Sequence, residues 1–102
     1  MTEKQINAIK QKIILTPNLL IVRLDTMSDK SLSQDEANRN VYCIDDNYQI
    51  LWQIENKPTG FEEDPFTNIK LDNNELIAKN FSGFIYKVDL RNGKIEGIDW
   101  NK

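Results

Sequence analysis

From residue 40 onward the chain is a succession of short β-patterned runs separated by tight turns, and this pattern constrains the fold most. The clearest alternation is in residues 48–55, where Tyr48, Ile50, Trp52 and Ile54 share one face of a strand. Further runs lie at 40–44, 67–71, 75–81, 84–90 and 94–100. Because the linkers between most of these runs are two or three turn-forming residues, neighbouring strands are predicted to pair as antiparallel hairpins.

The first forty residues follow a different pattern. Ile6, Ile9 and Ile13 have helical spacing, which predicts a short amphipathic helix over residues 2–12 with Thr2 or Asn7 as its entry residue. Residues 19–25 read as a buried strand, and residues 26–40 as a loop with a helical turn at 33–38. We therefore predict one mainly β (α+β) domain over residues 1–102. It has about seven strands in an antiparallel meander, forming an open curved sheet with a short N-terminal helix.

The predicted core uses the apolar face of each strand. Trp52 is expected in this core, because a domain of 102 residues loses much of its stabilisation if its largest apolar side chain stays in water. Phe84 and Tyr86 are assigned to the core for the same reason. Gly97 interrupts the alternation between neighbouring isoleucines, which predicts a β-bulge.

Few residues in the chain are suited to catalysis. It has no histidine and a single cysteine, Cys43, inside a β-like run, so Ser-His and Cys-His nucleophiles and the commonest zinc ligand are absent. It also lacks the phosphate-binding, dinucleotide-binding and calcium-loop motifs. We predict a non-catalytic protein with no cofactor and no metal site. An enzyme that uses carboxylates alone is the least favoured hypothesis.

Charge is distributed unevenly along the chain. Residues 25–66 hold ten acidic and three basic side chains, a net charge of −7, whereas residues 1–24 carry +3. An acidic middle segment repels nucleic acid and anionic membranes and favours a basic partner; a surface kept acidic for solubility is the alternative. No run reaches the roughly 18 apolar residues of a membrane span, and no secretory signal is evident, so a cytoplasmic location is expected.

The most unusual segment is residues 59–66, in which two phenylalanines flank three consecutive acids between Gly60 and Pro65. Aromatic anchors rimmed by acids suit an interface with a basic protein. The alternative is that both rings fold back onto the sheet and leave the acids in water. A second acidic pair occupies a predicted hairpin turn. The candidate partner-binding residues are Asp45, Asp46, Phe61, Glu62, Glu63, Asp64 and Phe66.

Two segments resemble the repeat of quinoprotein-type β-propellers, in which a strand ending in a hydrophobic-Asp pair turns back into a strand ending in Trp. They run from Asn40 through Asp45 to Trp52, and from Gly83 through Asp89 to Trp100. The resemblance implies blade-like hairpins. A propeller needs roughly four to eight blades to close, and this chain has length for fewer than two.

In whole-chain character the protein is similar to the small immunity proteins of bacterial toxin systems, including contact-dependent growth inhibition. The shared features are length, an acidic segment, aromatic residues and the absence of an active-site motif. Together with the acidic segment, this similarity implies an inhibitor that occludes a basic toxin domain, such as a nuclease. We expect the protein to be a monomer or a weak homodimer. The alternative is a structural β-module that self-associates through a sheet edge.

Overall fold

A computed structural model describes residues 1–98 as a mainly β domain of two four-stranded antiparallel sheets with a short N-terminal helix. The strands are β1 (Ile9–Thr16), β2 (Leu19–Leu24), β3 (Val41–Asp45), β4 (Ile50–Gln53), β5 (Phe66–Asp72), β6 (Glu75–Asn80), β7 (Ile85–Val88) and β8 (Ile95–Gly97). Sheet 1 has the order β1-β2-β3-β4 and sheet 2 the order β5-β6-β7-β8. The prediction of a single open sheet of about seven strands is therefore wrong. The long connection at residues 54–65 lets the chain start a second layer, whose apolar face packs on that of the first.

The N-terminal helix is shorter than predicted. Helix α1 (Glu3–Asn7) begins after Thr2, whose side chain accepts a hydrogen bond from the backbone N–H of Gln5 in a capping box. Ile9 already lies in β1, where the predicted helix should continue to residue 12. Residues four apart share a face in a strand as well as in a helix, so the spacing of Ile9 and Ile13 fits both structures. Helix α2 (Gln34–Asn38) begins after Ser33, where the helical turn was predicted.

The main core lies between the two sheets. Trp52 is 9% exposed, which confirms its assignment to the core. The register shift between β3 and β4 instead leaves Ile50 exposed, although it belongs to the same alternating set. Core residues from both layers are Ile21, Val41, Cys43, Trp52, Ile54, Phe66, Ile69, Leu76, Ala78, Tyr86, Val88 and Ile95.

The outer faces of the two sheets differ. On sheet 1, Val22, Leu24, Tyr42 and Ile44 form a second apolar layer, packed against residues that include Met1 and Ala8 on either side of α1. The N terminus therefore covers one face of this sheet. The outer face of sheet 2 carries exposed charged side chains, including Lys79 and Lys87, which suit solvent.

Polar side chains join the two layers at their edges. Gln11 of β1 accepts a hydrogen bond from Ile69 N at 3.0 Å and donates one to Ile69 O at 3.3 Å, which links edge strand β1 to edge strand β5. At the opposite edges, Glu55 N donates to Gly93 O and the Glu55 carboxylate accepts from Ile95 N, both at 2.9 Å. Each bridge satisfies backbone groups that an edge strand otherwise exposes.

A buried asparagine joins the layers a third time. Asn40 is 1% exposed; its amide nitrogen donates to Leu24 O and Phe66 O, and its amide oxygen accepts from Phe66 N. The side chain thus takes the place of a strand backbone between sheets 1 and 2. All hydrogen-bonding partners of the Asn40 side chain are backbone groups. The bridge therefore requires a neutral amide, which can donate and accept at the same time.

The turn between β7 and β8 packs directly on the core tryptophan. Gly93 has a φ of +78°, and a Cβ built on it would lie 2.5 Å from Trp52 Cε3. The Trp52 indole N–H donates to Leu90 O at 2.9 Å from the same turn. Glycine is therefore required here for both its backbone angle and its size. The β7–β8 pairing has no register shift, so the bulge predicted at Gly97 is not observed, and Trp100 lies outside the described residues.

Candidate functional site

The predicted contact residues lie at opposite ends of the sandwich. One end, called here the hairpin end, holds the turns at residues 17–18, 46–49 and 73–74 together with residues 89–91; the other, the loop end, holds residues 25–40, 56–65 and 81–84. Asp45 and Asp46 follow β3 at the hairpin end, whereas residues 59–66 lead into β5 at the loop end. The structure therefore does not bring the seven residues together into one site.

Asp45 has a structural role in its turn. One oxygen of its carboxylate accepts hydrogen bonds from Asn47 N at 2.8 Å and Gln49 N at 2.9 Å. Tyr48, in the same turn, has a left-handed backbone conformation with a φ of +61°. Asp46 is exposed. This is the arrangement of an aspartate that stabilises a tight turn, which is one of the two roles its sequence position allowed.

Asp64 anchors the segment at the loop end. Its carboxylate is buried and accepts hydrogen bonds from Thr59 Oγ1 at 2.5 Å, Ser82 N at 2.7 Å and Ser82 Oγ at 2.6 Å. Its backbone N–H donates to the side chain of Asn38, whose amide also donates to Glu62 O. A buried carboxylate with three donors is a strong local restraint, so this loop is held against the turn after β6.

Phe66 belongs to the core. It is 3% exposed and its ring makes an edge-on contact with Tyr86, with ring centres 6.1 Å apart and planes at 74°. Burial removes the side chains of Phe66 and Asp64 from the candidate contact residues. For Phe66, the ring folds back onto the sheet, which was the alternative left open by the sequence.

Three phenylalanine rings remain exposed at the loop end. Phe61, Phe81 and Phe84 have exposed fractions of 62%, 61% and 48%. The segment with Phe61 and the turn with the other two rings are tied to the same Asp64 carboxylate. Glu62 and Glu63 beside Phe61 are exposed too. We call these five residues the phenylalanine surface.

The sequence did not point to all of this surface. Phe81 was not a candidate, and Phe84 was assigned to the core because it alternates with Tyr86. Tyr86 is buried as expected, but Phe84 stands before β7, where its N–H donates to Asn80 and the chain leaves the turn at Gly83. The dipeptide Ser82-Gly83 was the available signal, since side chains next to a tight turn need not follow the strand alternation.

Several acids of the middle segment are already bound within the protein. Asp29 forms an ion pair with Lys4, and hydrogen bonds from Ser31 contribute most to lowering its pKa. Asp35 pairs with Arg39. Glu62 and Glu63 form no ion pair within residues 1–98. The exposed acids available to a partner thus include the two on the phenylalanine surface.

In the part of the chain that the structure describes, no three Cys, Asp or Glu side chains come together as a metal-binding group. No helix within that part is long and apolar enough to span a membrane.

The family model described as a domain of unknown function (DUF7957) matches residues 4–100, which is almost the whole chain. Neither the curated proteins nor the solved structures include a match to the chain.

Proposed function

The chain belongs to the DUF7957 family, and we propose that it is a non-catalytic binding protein that docks a protein partner on its phenylalanine surface. The observation that supports this is the exposure of Phe61, Phe81 and Phe84 on segments that a buried carboxylate fixes in place. Aromatic side chains supply much of the energy of protein interfaces, and the hydrogen bonds to Asp64 hold the segments that carry these three rings next to each other. A fixed surface also loses little conformational entropy when it binds.

The partner that suits this surface is basic. Glu62 and Glu63 place two negative charges beside Phe61 without a neighbouring ion pair among the described residues, and the segment from 25 to 66 is acidic overall. Charge complementarity of this kind accelerates association and disfavours acidic partners. Our specific proposal is a cytoplasmic immunity protein of the contact-dependent inhibition type, which neutralises a basic toxin domain, such as a nuclease, by covering it.

The proposal is tested with the proteins encoded by the genes adjacent to the gene for this chain, each expressed in an inactivated form. We expect a complex whose Kd rises at least about tenfold in Phe81→Ser, because truncating a side chain that carries much of the binding energy of an interface costs about 2 kcal/mol or more, and about 1.4 kcal/mol is tenfold in Kd. Leu51→Ser is the matched control, since Leu51 is 53% exposed but lies at the hairpin end. The proposal would be contradicted if both variants lost the same affinity for the partner, or if the parent protein formed no complex.

A charge-reversal variant tests the role of the acids separately. Glu62→Lys with Glu63→Lys should slow association and reduce its dependence on salt concentration, while leaving the dissociation rate nearly unchanged. Stopped-flow or biolayer measurements at two ionic strengths resolve the two rates. A change confined to the dissociation rate would show that the acids do not steer the partner.

Self-association through a sheet edge is the alternative function. The Gln11 and Glu55 bridges occupy backbone groups at edges of both sheets, which disfavours such pairing. Sedimentation velocity over a range of concentrations separates the hypotheses, since edge pairing gives a dimer without any partner.

A further inference from the structure

The hairpin end contains an apolar slot that the proposed function does not use. It is a cavity of about 470 Å³ between the two sheets, within the range of about 300–1,000 Å³ that is usual for small-molecule sites. Cys43 and Trp52 lie at its base and are nearly buried. Its walls carry five leucines contributed by both sheets: Leu15, Leu19, Leu51, Leu71 and Leu90.

The two-layer architecture limits what can enter this slot. Face-to-face sheets are separated by about 10 Å, a space that their own side chains largely fill. An α-helix with its side chains is about 10–12 Å across and would force the layers apart. A single aliphatic chain is thin enough, and ten carbons occupy roughly 300 Å³ if each methylene takes about the volume of one water, ~30 Å³.

The polar residues of the slot indicate the head group. Among the described residues that line it, Arg91 is the one that carries a charge, with Thr16 and Asn74 as neutral neighbours. The Arg91 side chain is 87% exposed and binds Asp89 through Nε and Nη2. Nη1 has no hydrogen-bond partner in the described part of the chain, so the guanidinium retains donors for an anion.

We propose that the slot binds an unbranched aliphatic chain of about ten carbons that ends in a carboxylate, with the chain between the leucines and the carboxylate at Arg91. This site is separate from the phenylalanine surface, since it lies at the opposite end of the sandwich. Apolar burial supplies most of the affinity and Arg91 supplies the preference for an anionic head group.

Tryptophan fluorescence provides a direct readout. In a Trp100→Phe background Trp52 is the single tryptophan, and sodium decanoate should shift its emission saturably. Decyltrimethylammonium, which has the same chain length and the opposite charge, should bind at least tenfold more weakly. Both probes are used below their micelle-forming concentrations. Arg91→Gln should remove the difference between the two probes while the decanoate signal persists.

Two variants test whether decanoate binds in this slot. Leu71→Glu, at a wall residue that is 40% exposed and therefore tolerant of substitution, should weaken decanoate binding at least tenfold, whereas Phe81→Ser at the loop end should have no effect. The proposal is overturned if decanoate gives no saturable shift or if Leu71→Glu binds it as the parent does. It is also overturned if sedimentation shows that a second copy of the chain occupies the slot.

Discussion

Gly93→Ala should be among the most destabilising methyl additions in this domain. The substitution places a Cβ 2.5 Å from Trp52 Cε3 and 3.0 Å from Gln53 O, at a φ of +78°. A non-glycine residue in left-handed backbone costs about 1–2 kcal/mol, and overpacking a core costs about 1–3 kcal/mol. The expected loss is therefore about 2–5 kcal/mol. That is a large share of the roughly 5–15 kcal/mol that stabilises a typical domain.

The chain provides a matched control for the steric part of this loss. Gly60 has a φ of +88°, and a Cβ on it meets no heavy atom within 4 Å. Gly60→Ala should therefore lower the free energy of unfolding only by the cost of a left-handed backbone conformation, about 1–2 kcal/mol. The difference between the two variants isolates the contact with Trp52.

Urea unfolding followed by tryptophan fluorescence and by circular dichroism measures both free energies of unfolding. At roughly 4–8 °C per kcal/mol for a domain of this size, Gly93→Ala should also melt at least about 8 °C below the parent protein. Equal losses in Gly93→Ala and Gly60→Ala would refute the close packing of this turn on Trp52. A parent-like melting temperature in Gly93→Ala would refute the turn geometry as well.

Three further predictions concern buried or paired groups. Asn40→Ala removes the side-chain partners of two carbonyls and one N–H, at about 1–3 kcal/mol each. Urea unfolding should therefore show a free energy of unfolding at least about 3 kcal/mol below that of the parent protein, and a decrease of less than about 1 kcal/mol would exclude the bridge. Burial raises the pKa of the Cys43 thiol, and at pH 8 it should react with a thiol reagent at least about tenfold more slowly than the urea-unfolded protein does. Hydrogen bonds from Arg91 lower the pKa of Asp89 to about 2, so its carboxylate contributes stability above its unfolded value of about 3.9 and loses that contribution as the pH falls towards 2. A carboxyl NMR titration should find that midpoint near 2 and, in Arg91→Ala, nearer 3.8.

The sequence predicted the strands well because their signal is local. Period-two alternation and short turns identified the runs from residue 40 onward to within a few residues. The N terminus was harder, since Ile9 and Ile13 share a face in either a helix or a strand. The division into two sheets depends on contacts between layers, such as Gln11 with Ile69, that no local pattern encodes.

The candidate site was predicted only in part, for a related reason. Residues 59–66 were recognised as unusual, and Phe61 is exposed there as the interface hypothesis requires. Which residues of the segment turn inward is decided by distant partners: Asp64 is bound by Asn38, 26 positions earlier, and by Ser82, 18 positions later. Composition gives no information about such pairings.

The two sheets are built from consecutive stretches of chain, with every strand of sheet 1 preceding every strand of sheet 2. Residues 56–58 in the connection between them are exposed, so the polypeptide can be cut there without severing a strand. Each fragment then contains one complete sheet, whose apolar core face is exposed to solvent. In the intact domain the sheet of the other fragment packs on that face. The domain is therefore suited to fragment complementation, in which two separately expressed pieces restore Trp52 burial only when they meet.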